Sequence, residues 1–295
     1  TELWPNLLMT LKKRKIPAVV MNGRISDDSF RGYKKIKFFM QSIIDCVDLF
    51  CMQDAVYAGR IKELGAQEEK IRVIGSFKFD TVPSLNVPEW TELLTHPVII
   101  AGSTHRGEED LLVSSYIELK KDFPDLSLIV APRHPERFGE VEELVKKKGL
   151  EYIKRSELAS KFPGFRASRL GESPGVTGLI IILDAVGELA SVYGVSDVAV
   201  IGGSFIEHGG QNLLEPAFWA KPIICGPHME NFPFAKEFYE KGAAIETESS
   251  ALSKKLKELL QSPEKRKSMG NKAKDLYNEK AGAVERAMKE IERYL

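Results

Sequence analysis

The chain has no excess of charge of either sign. Its 295 residues carry 42 Lys and Arg against 42 Asp and Glu. That balance gives no global pull toward a polyanion, and no nucleic-acid motif accompanies it, so no nucleic-acid partner is expected. Cysteine is scarce. Cys46, Cys51 and Cys225 show no metal-ligand spacing and give no disulfide framework, which suits a reducing compartment. No apolar run approaches the roughly 20 residues that a membrane-spanning helix needs. H-E-x-x-H, G-x-S-x-G and G-x-x-x-x-G-K-[ST] are all absent. Zincin chemistry, a nucleophile elbow and a phosphate loop are therefore excluded. With no D-x-D pair to hold a cation, no metal site is expected, and nothing calls for a cofactor.

What is present is organised around residues 198–230, VAVIGGSFIEHGGQNLLEPAFWAKPIICGPHME. Apolar runs at Val198–Ile201 and Ile223–Cys225 flank a glycine-bearing loop and a helix-like segment, Asn212–Trp219. Strand, loop, helix, strand is a βαβ unit whose loop lies at the carboxyl edge of a parallel sheet, where open α/β folds bind ligands. Gly209 and Gly210 suit close backbone approach to a phosphate, aided by the following helix N-terminus, and Gly203 is a further candidate for the nucleotide. Asn212 and Glu215, three apart, would share a helix face, and Glu215 would accept bonds from two ribose hydroxyls. Glycine pairs also occur in loops that bind nothing, and Glu215 also fits as an acid in a first helical turn.

The pattern repeats along the chain. Strands are expected at Ile16–Met21, Leu49–Met52, Ile71–Ile74, Val98–Ala101, Leu126–Val130, Tyr152–Ile153, Leu179–Leu183 and Ala243–Ile245, with helical spacing between them, including Lys34–Ile44. Residues 161–177, rich in glycine and proline, form a surface excursion. The proline-bearing stretch 81–96 is a candidate linker. His105, His134, His208 and His228 each follow a strand, as do Arg106, Arg133, Glu188 and Glu215, so polar groups of separate βα units converge on one edge. Ser103, Thr104 and Arg133 are candidate phosphate contacts. Nine cations between Lys12 and Lys37, Arg24, Arg31, Lys34 and Lys35 among them, lie close to Phe38 and Phe39. They read as a solvated face or as contact with an anionic surface.

The stretch GGSFIEHGGQNLLEPAFWAKPIICGPHMENF closely resembles the signature of Kdo transferases, which move 3-deoxy-D-manno-octulosonic acid from CMP-Kdo to the lipid A precursor of Gram-negative bacteria. TELWPN at the start, NGRIS (22–26), GSFKFD (75–80), AGSTHRGEE (101–109), APRHPERF (131–138), AVGELASVY (185–193) and GAVERAMKEIERYL (282–295) resemble further family blocks in the same order.

The resemblance implies an α/β fold of the GT-B type, two Rossmann-like domains facing a cleft, the first one incomplete. Residues 1–80 would be the later half of an acceptor domain, 97–280 the CMP-Kdo domain, and 281–295 a helix crossing back. It implies an inverting, metal-independent transfer at the cytoplasmic face of the inner membrane. The partners would be CMP-Kdo, a phosphorylated lipid A precursor and an anionic membrane surface. Pro132, Arg133 and His134 would flank the cytidine, with Gly187, Glu188 and Leu189 near the nucleotide. Ser204, Gly209, Gly210 and Asn212 would hold phosphate or Kdo, and Glu215 the ribose. The chain opens at Thr1 inside a loop-to-helix transition, so a longer parent is expected, with the family's catalytic glutamate in a preceding block and Glu2 at best supporting. Gln211 stands where the family commonly has histidine, which keeps a hydrogen-bonding group but removes a titratable one. Two other readings stay open: another GT-B enzyme acting on a UDP-sugar, and an inactive donor-binding fragment.

Overall fold

The computed structural model describes residues 3–81, 84–161 and 178–294. It divides the chain into two compact units, Thr1–Val82 with Asn278–Leu295, and Pro83–Tyr277. Glu2 and residues 162–177, the bulk of the surface excursion, lie outside the described residues.

In the first unit, β1 (Val19–Gly23), β2 (Leu49–Met52) and β3 (Ile71–Val73) form a parallel sheet in that order. Strand β2 is central and buried throughout, as a parallel strand covered on both faces must be. Its neighbour β1 starts three residues later than the expected Ile16, because the helix Pro5–Lys13 closes through Lys15, whose φ is +57°. The expected helix Lys34–Ile44 is two helices, Asp27–Lys35 and Lys37–Ile44, divided at Ile36. Asp80 accepts bonds from the N–H groups of Gly282 and Val284 and so caps the last helix, Ala283–Ile291. Ala287 of that helix is buried against Leu49, Cys51 and Ile74.

In the second unit, β4 (Val98–Thr104), β5 (Ser127–Pro132), β6 (Tyr152–Lys154), β7 (Ile180–Ile182), β8 (Val198–Ile201), β9 (Ile223–Cys225) and β10 (Ile245–Glu246) make one parallel sheet. Their order is β10-β9-β8-β4-β5-β7-β6. From β4 the chain first builds outward through β5, then returns to place β8 on the other side of β4. The switch point is thus between the carboxyl ends of β4 and β8, where a crevice is expected. The strands are short runs of Val, Ile, Leu and Ala, and cores lie on both faces of the sheet.

The stretch 81–96 does not behave as a linker over its later part. Glu89–Leu93 is a 3-10 turn whose Trp90 and Leu93 are buried among Val98, Ile100, Ile129 and Ile181. The Trp90 indole N–H also donates to Glu188 at 3.0 Å. Trp90→Ala is therefore expected to lower the unfolding free energy of this unit by about 3–5 kcal/mol, a buried-aromatic deletion rather than a surface change. Urea denaturation checks it, and a loss under about 0.5 kcal/mol would return the segment to a linker.

Candidate functional site

Glycines bring the strand ends together. A Cβ on Gly202, after β8, would sit 2.3 Å from the Ser103 carbonyl oxygen, and one on Gly226, after β9, 2.1 Å from that of Ser204. The neighbours in the way are backbone, so neither position has room for a side chain. Ser103 itself has φ +55°, and the β4–β5 register shifts between Gly102 and Thr104. The bulge turns the following residues, Thr104 to Glu108, over the edge of the sheet.

Glu108 joins the loops. Its carboxylate accepts bonds from the N–H groups of His105 (2.9 Å), Gly203 (2.7 Å), Ser204 (3.1 Å) and Phe205 (3.0 Å). The residue is 1% exposed. Burial pushes its carboxyl pKa up and the N–H bonds pull it back in part. The neighbouring Glu109, also buried, accepts from the two terminal guanidinium nitrogens of Arg137 (2.6 and 3.2 Å) and from the Thr104 hydroxyl (2.9 Å).

These bonds correct part of the expected site. Gly203 and Ser204 were candidates for the nucleotide and its phosphate, but their N–H groups are spent on Glu108. The Ser204 hydroxyl donates to the Ile201 carbonyl (2.5 Å) and accepts from the Gly226 N–H (2.8 Å), leaving the residue wholly buried. Thr104 is also wholly buried and faces Glu109. The helix after the glycine loop is only Leu214–Phe218, so Asn212 precedes it instead of sharing its face, and the helix dipole is small. Asn212 accepts from the Leu214 N–H (3.1 Å) and donates to Glu215 (3.2 Å). The Glu188 carboxylate is engaged by Arg155 (2.8 and 3.0 Å) as well as by Trp90. Of Gly187, Glu188 and Leu189, the Leu189 side chain lies beside Gly102, near the carboxyl end of β4.

The other groups do meet. Gly209 and Gly210 have φ of +86° and +75°, and the Gly210 N–H is held by the Gly203 carbonyl at 2.8 Å. Pro132, buried, ends β5, and Arg133 and His134 stand exposed beyond it. The Arg133 N–H is tied to the Thr104 carbonyl at 2.9 Å. Burial raises the Glu215 carboxyl pKa, while Asn212 and the charge of Arg133 oppose the rise. His105, 7% exposed, packs its ring 3.9 Å from that of His208 and 5.6 Å from that of His134. Burial first, then His208, His134, Arg137 and Arg133, lower its pKa to about 4. Sequence reasoning noted the shared placement of these histidines but passed over Glu108, whose only signal is an acid just after Gly107 at a helix start. Among the described residues, no group of His, Cys, Asp and Glu is arranged to hold a metal ion.

A parallel sheet with glycine loops at its switch point has the crevice in which open α/β folds bind ligands, and the comparisons give the class. Residues 172–276 match the family model for glycosyl transferases group 1, and residues 1–81 that for 3-deoxy-D-manno-octulosonic-acid transferase (kdotransferase). The chain is 35% identical to the 3-deoxy-D-manno-octulosonic acid transferase of Haemophilus influenzae, over all of this chain and 68% of that protein. It is 31% identical to the one from Bordetella pertussis, again over all of this chain and 68% of that protein. Among solved structures it is similar to the C-terminal CMP-Kdo binding domain of WaaA from Acinetobacter baumannii. That match has 28% identity and a TM-score of 0.54, covering 63% of this chain and 92% of that one. The protein is a glycosyltransferase of GT-B class. Within that class it belongs to the 3-deoxy-D-manno-octulosonic acid transferase family.

The histidine cluster gives a direct test. His105 titrates near pH 4 against an ordinary 6.5. The unfolded chain therefore binds the proton more readily, and this group's stability contribution is lost as pH falls from about 6.5 toward 4. NMR titration of the His105 ring should show the low midpoint, and His208→Ala should move it upward by removing a neighbouring cation. A midpoint at 6.5 in the unaltered protein would mean that the ring is solvated.

Proposed function

We propose that this chain takes part in transferring Kdo from CMP-Kdo to a phosphorylated lipid A precursor, with the nucleotide held at the carboxyl edge of the second unit's sheet. The observation that carries this is Arg133 within electrostatic reach of Glu215, together with the rings of His134 and His208 packed on His105, at the switch point. The roles divide by charge. Arg133 offers a fork of donors to the phosphate of the donor. His134, with Gly209 and Gly210, lines its approach. Glu215 accepts hydrogen bonds from ribose hydroxyls, and Pro132 and Leu189 supply apolar contact to the base. The reaction is an inverting displacement in which a sugar hydroxyl loses its proton, attacks the anomeric carbon, and CMP departs with the bonding pair. Fixed cations near the leaving phosphate stabilise the charge it gains. The similarity to the CMP-Kdo binding domain supports the cytidine donor over a UDP-sugar.

For the acceptor and the membrane, the support lies in the first unit. Phe38 is 96% exposed, and Ile36 and Phe39 are half exposed among Lys34, Lys35 and Lys37. Apolar side chains ringed by lysines suit an anionic bilayer surface on the cytoplasmic face of the inner membrane. Arg31 and Lys34 pair with Asp28 and Glu63, exposed ion pairs of small energy that an anionic surface would readily exchange. Arg24 lies close enough to Lys78 for its charge to lower the Lys78 pKa, after burial. No helix among the described residues is long and apolar enough to cross a membrane.

Calorimetric titration tests the donor. CMP should bind more tightly than UMP, and Glu215→Gln should weaken CMP by about ten- to a hundredfold, a loss of roughly 1.5–3 kcal/mol. Unchanged affinity would remove Glu215 from the site. Vesicle sedimentation tests the surface. Binding to anionic vesicles should fade at high salt and be lost when Phe38→Asp is combined with Lys35→Glu, with CMP affinity unaltered. Equal binding to neutral and anionic vesicles would leave the lysines as a solvated face.

A further inference from the structure

Three consecutive backbone N–H groups, Gly203, Ser204 and Phe205, converge on one point at the switch of the sheet. Concavities of this kind hold anions. Here the chain fills its own anion site with the Glu108 carboxylate, which a fourth N–H, from His105, also reaches. A carboxylate this deeply buried would be costly without such partners. With four of them it becomes a fixed internal counter-charge for two loops at once.

The bonds run on from there. Gly203, held by its N–H to Glu108, accepts the Gly210 N–H at its carbonyl (2.8 Å). Ser204 accepts the His228 N–H (3.0 Å) at its carbonyl and the Gly226 N–H at its hydroxyl. The Gly209 carbonyl accepts from the Asn231 N–H (2.9 Å), and the Asn231 amide donates to the His208 carbonyl (3.0 Å). On the other loop, His105 begins at Glu108 and ends with its ring against His208 and Gln211. Gly203, Ser204, Phe205 and Gly210 of the glycine loop are thus one or two bonds from the same carboxylate.

We propose that Glu108 is a positioning residue of the donor site, an internal anion that fixes the loop Gly202–Gly210 in its binding shape before a ligand arrives. The inference rests on the donor reading above. It follows that the donor phosphate does not occupy the amides of Gly203 to Phe205, which are closed to it, but meets the later part of the loop. Pre-ordering of this kind removes a loop-ordering cost from binding.

The test uses this chain with CMP as the probe. Glu108→Gln keeps the shape of the side chain but turns an amide N–H₂ toward N–H donors. It should weaken CMP by about tenfold or more, in line with a lost charge-assisted network. Glu108→Ala should weaken it further. A surface cavity of about 350 Å³ lined by Gly107, Glu108, Phe205 and Ile206 opens beside the vacated position. Formate should enter by that route and restore part of the affinity, while formamide, of the same size but neutral, should not. A urea unfolding midpoint that stays the same with and without formate, while CMP affinity recovers, separates this role from stabilisation of the fold. CMP affinities within about twofold of the unaltered protein in both variants would overturn the proposal. Should the variants fail to fold, hydrogen exchange on the unaltered protein decides. Slow exchange at Gly203, Ser204 and Phe205 is expected, and exchange at the rate of open loops would overturn the clamp. Failure of the unaltered protein to bind CMP, with those amides protected, would overturn the donor reading and the role given to Glu108 within it.

Discussion

Parallel strands deliver all their carboxyl ends to one edge, and the loops leaving them must then share a small space. In the second unit that constraint is met at backbone level. Gly202 packs on Ser103 and Gly226 packs on Ser204, at distances no Cβ permits. Once the loops are that close their N–H groups are cut off from water and must find partners. Glu108 answers most of that demand with a single side chain. The order of dependence runs from glycine, to loop contact, to buried amides, to a buried acid.

The same economy sets the electrostatics of the edge. Glu108, Glu109 and Glu188 each direct their carboxylates into the protein, toward amides, Arg137 and Arg155. Arg133, His134 and His208 stand exposed at the edge beside the exposed acids Glu136, Glu207 and Glu230, with Glu215 set back and partly buried. Arg133, His134 and His208 all act in the direction that keeps His105 neutral.

Much of the sheet was legible because its strands are short runs of β-branched and aliphatic residues closed by glycine or proline. Val198–Ile201 and Ile223–Cys225 carry that pattern without ambiguity, and the structure has them at those bounds. Edges were less legible. Ile16 reads as strand by composition, but the preceding helix needs the residues up to Ile16 to finish, and β1 begins at Val19. Trp90 was hidden among prolines and polar residues, since a 3-10 turn has too few positions to show a period. The site divided in the same way. Which residues stand at the edge followed from strand ends. Which of them face a ligand did not, because a serine or threonine reads identically whether its hydroxyl meets solvent or a neighbouring strand. Ser204 and Thr104 turned inward for reasons of distance, between segments about 20 and 5 residues apart, that no local pattern encodes.

The His105–Gln211 contact bears on what chemistry this edge performs. The Gln211 amide nitrogen lies 3.2 Å from the His105 Nε2. In this arrangement the amide N–H₂ donates and the ring nitrogen accepts, as in the neutral ring that the lowered pKa also favours. A protonated ring would set two donors against each other, which opposes protonation in the same sense as burial and the surrounding cations. His105 therefore has its one basic lone pair already engaged, in addition to a pKa of about 4. Both facts make it a poor acceptor for a proton from a sugar hydroxyl at neutral pH. Within the cluster His105 is therefore suited to holding its neighbours in place, its ring packed on those of His208 and His134.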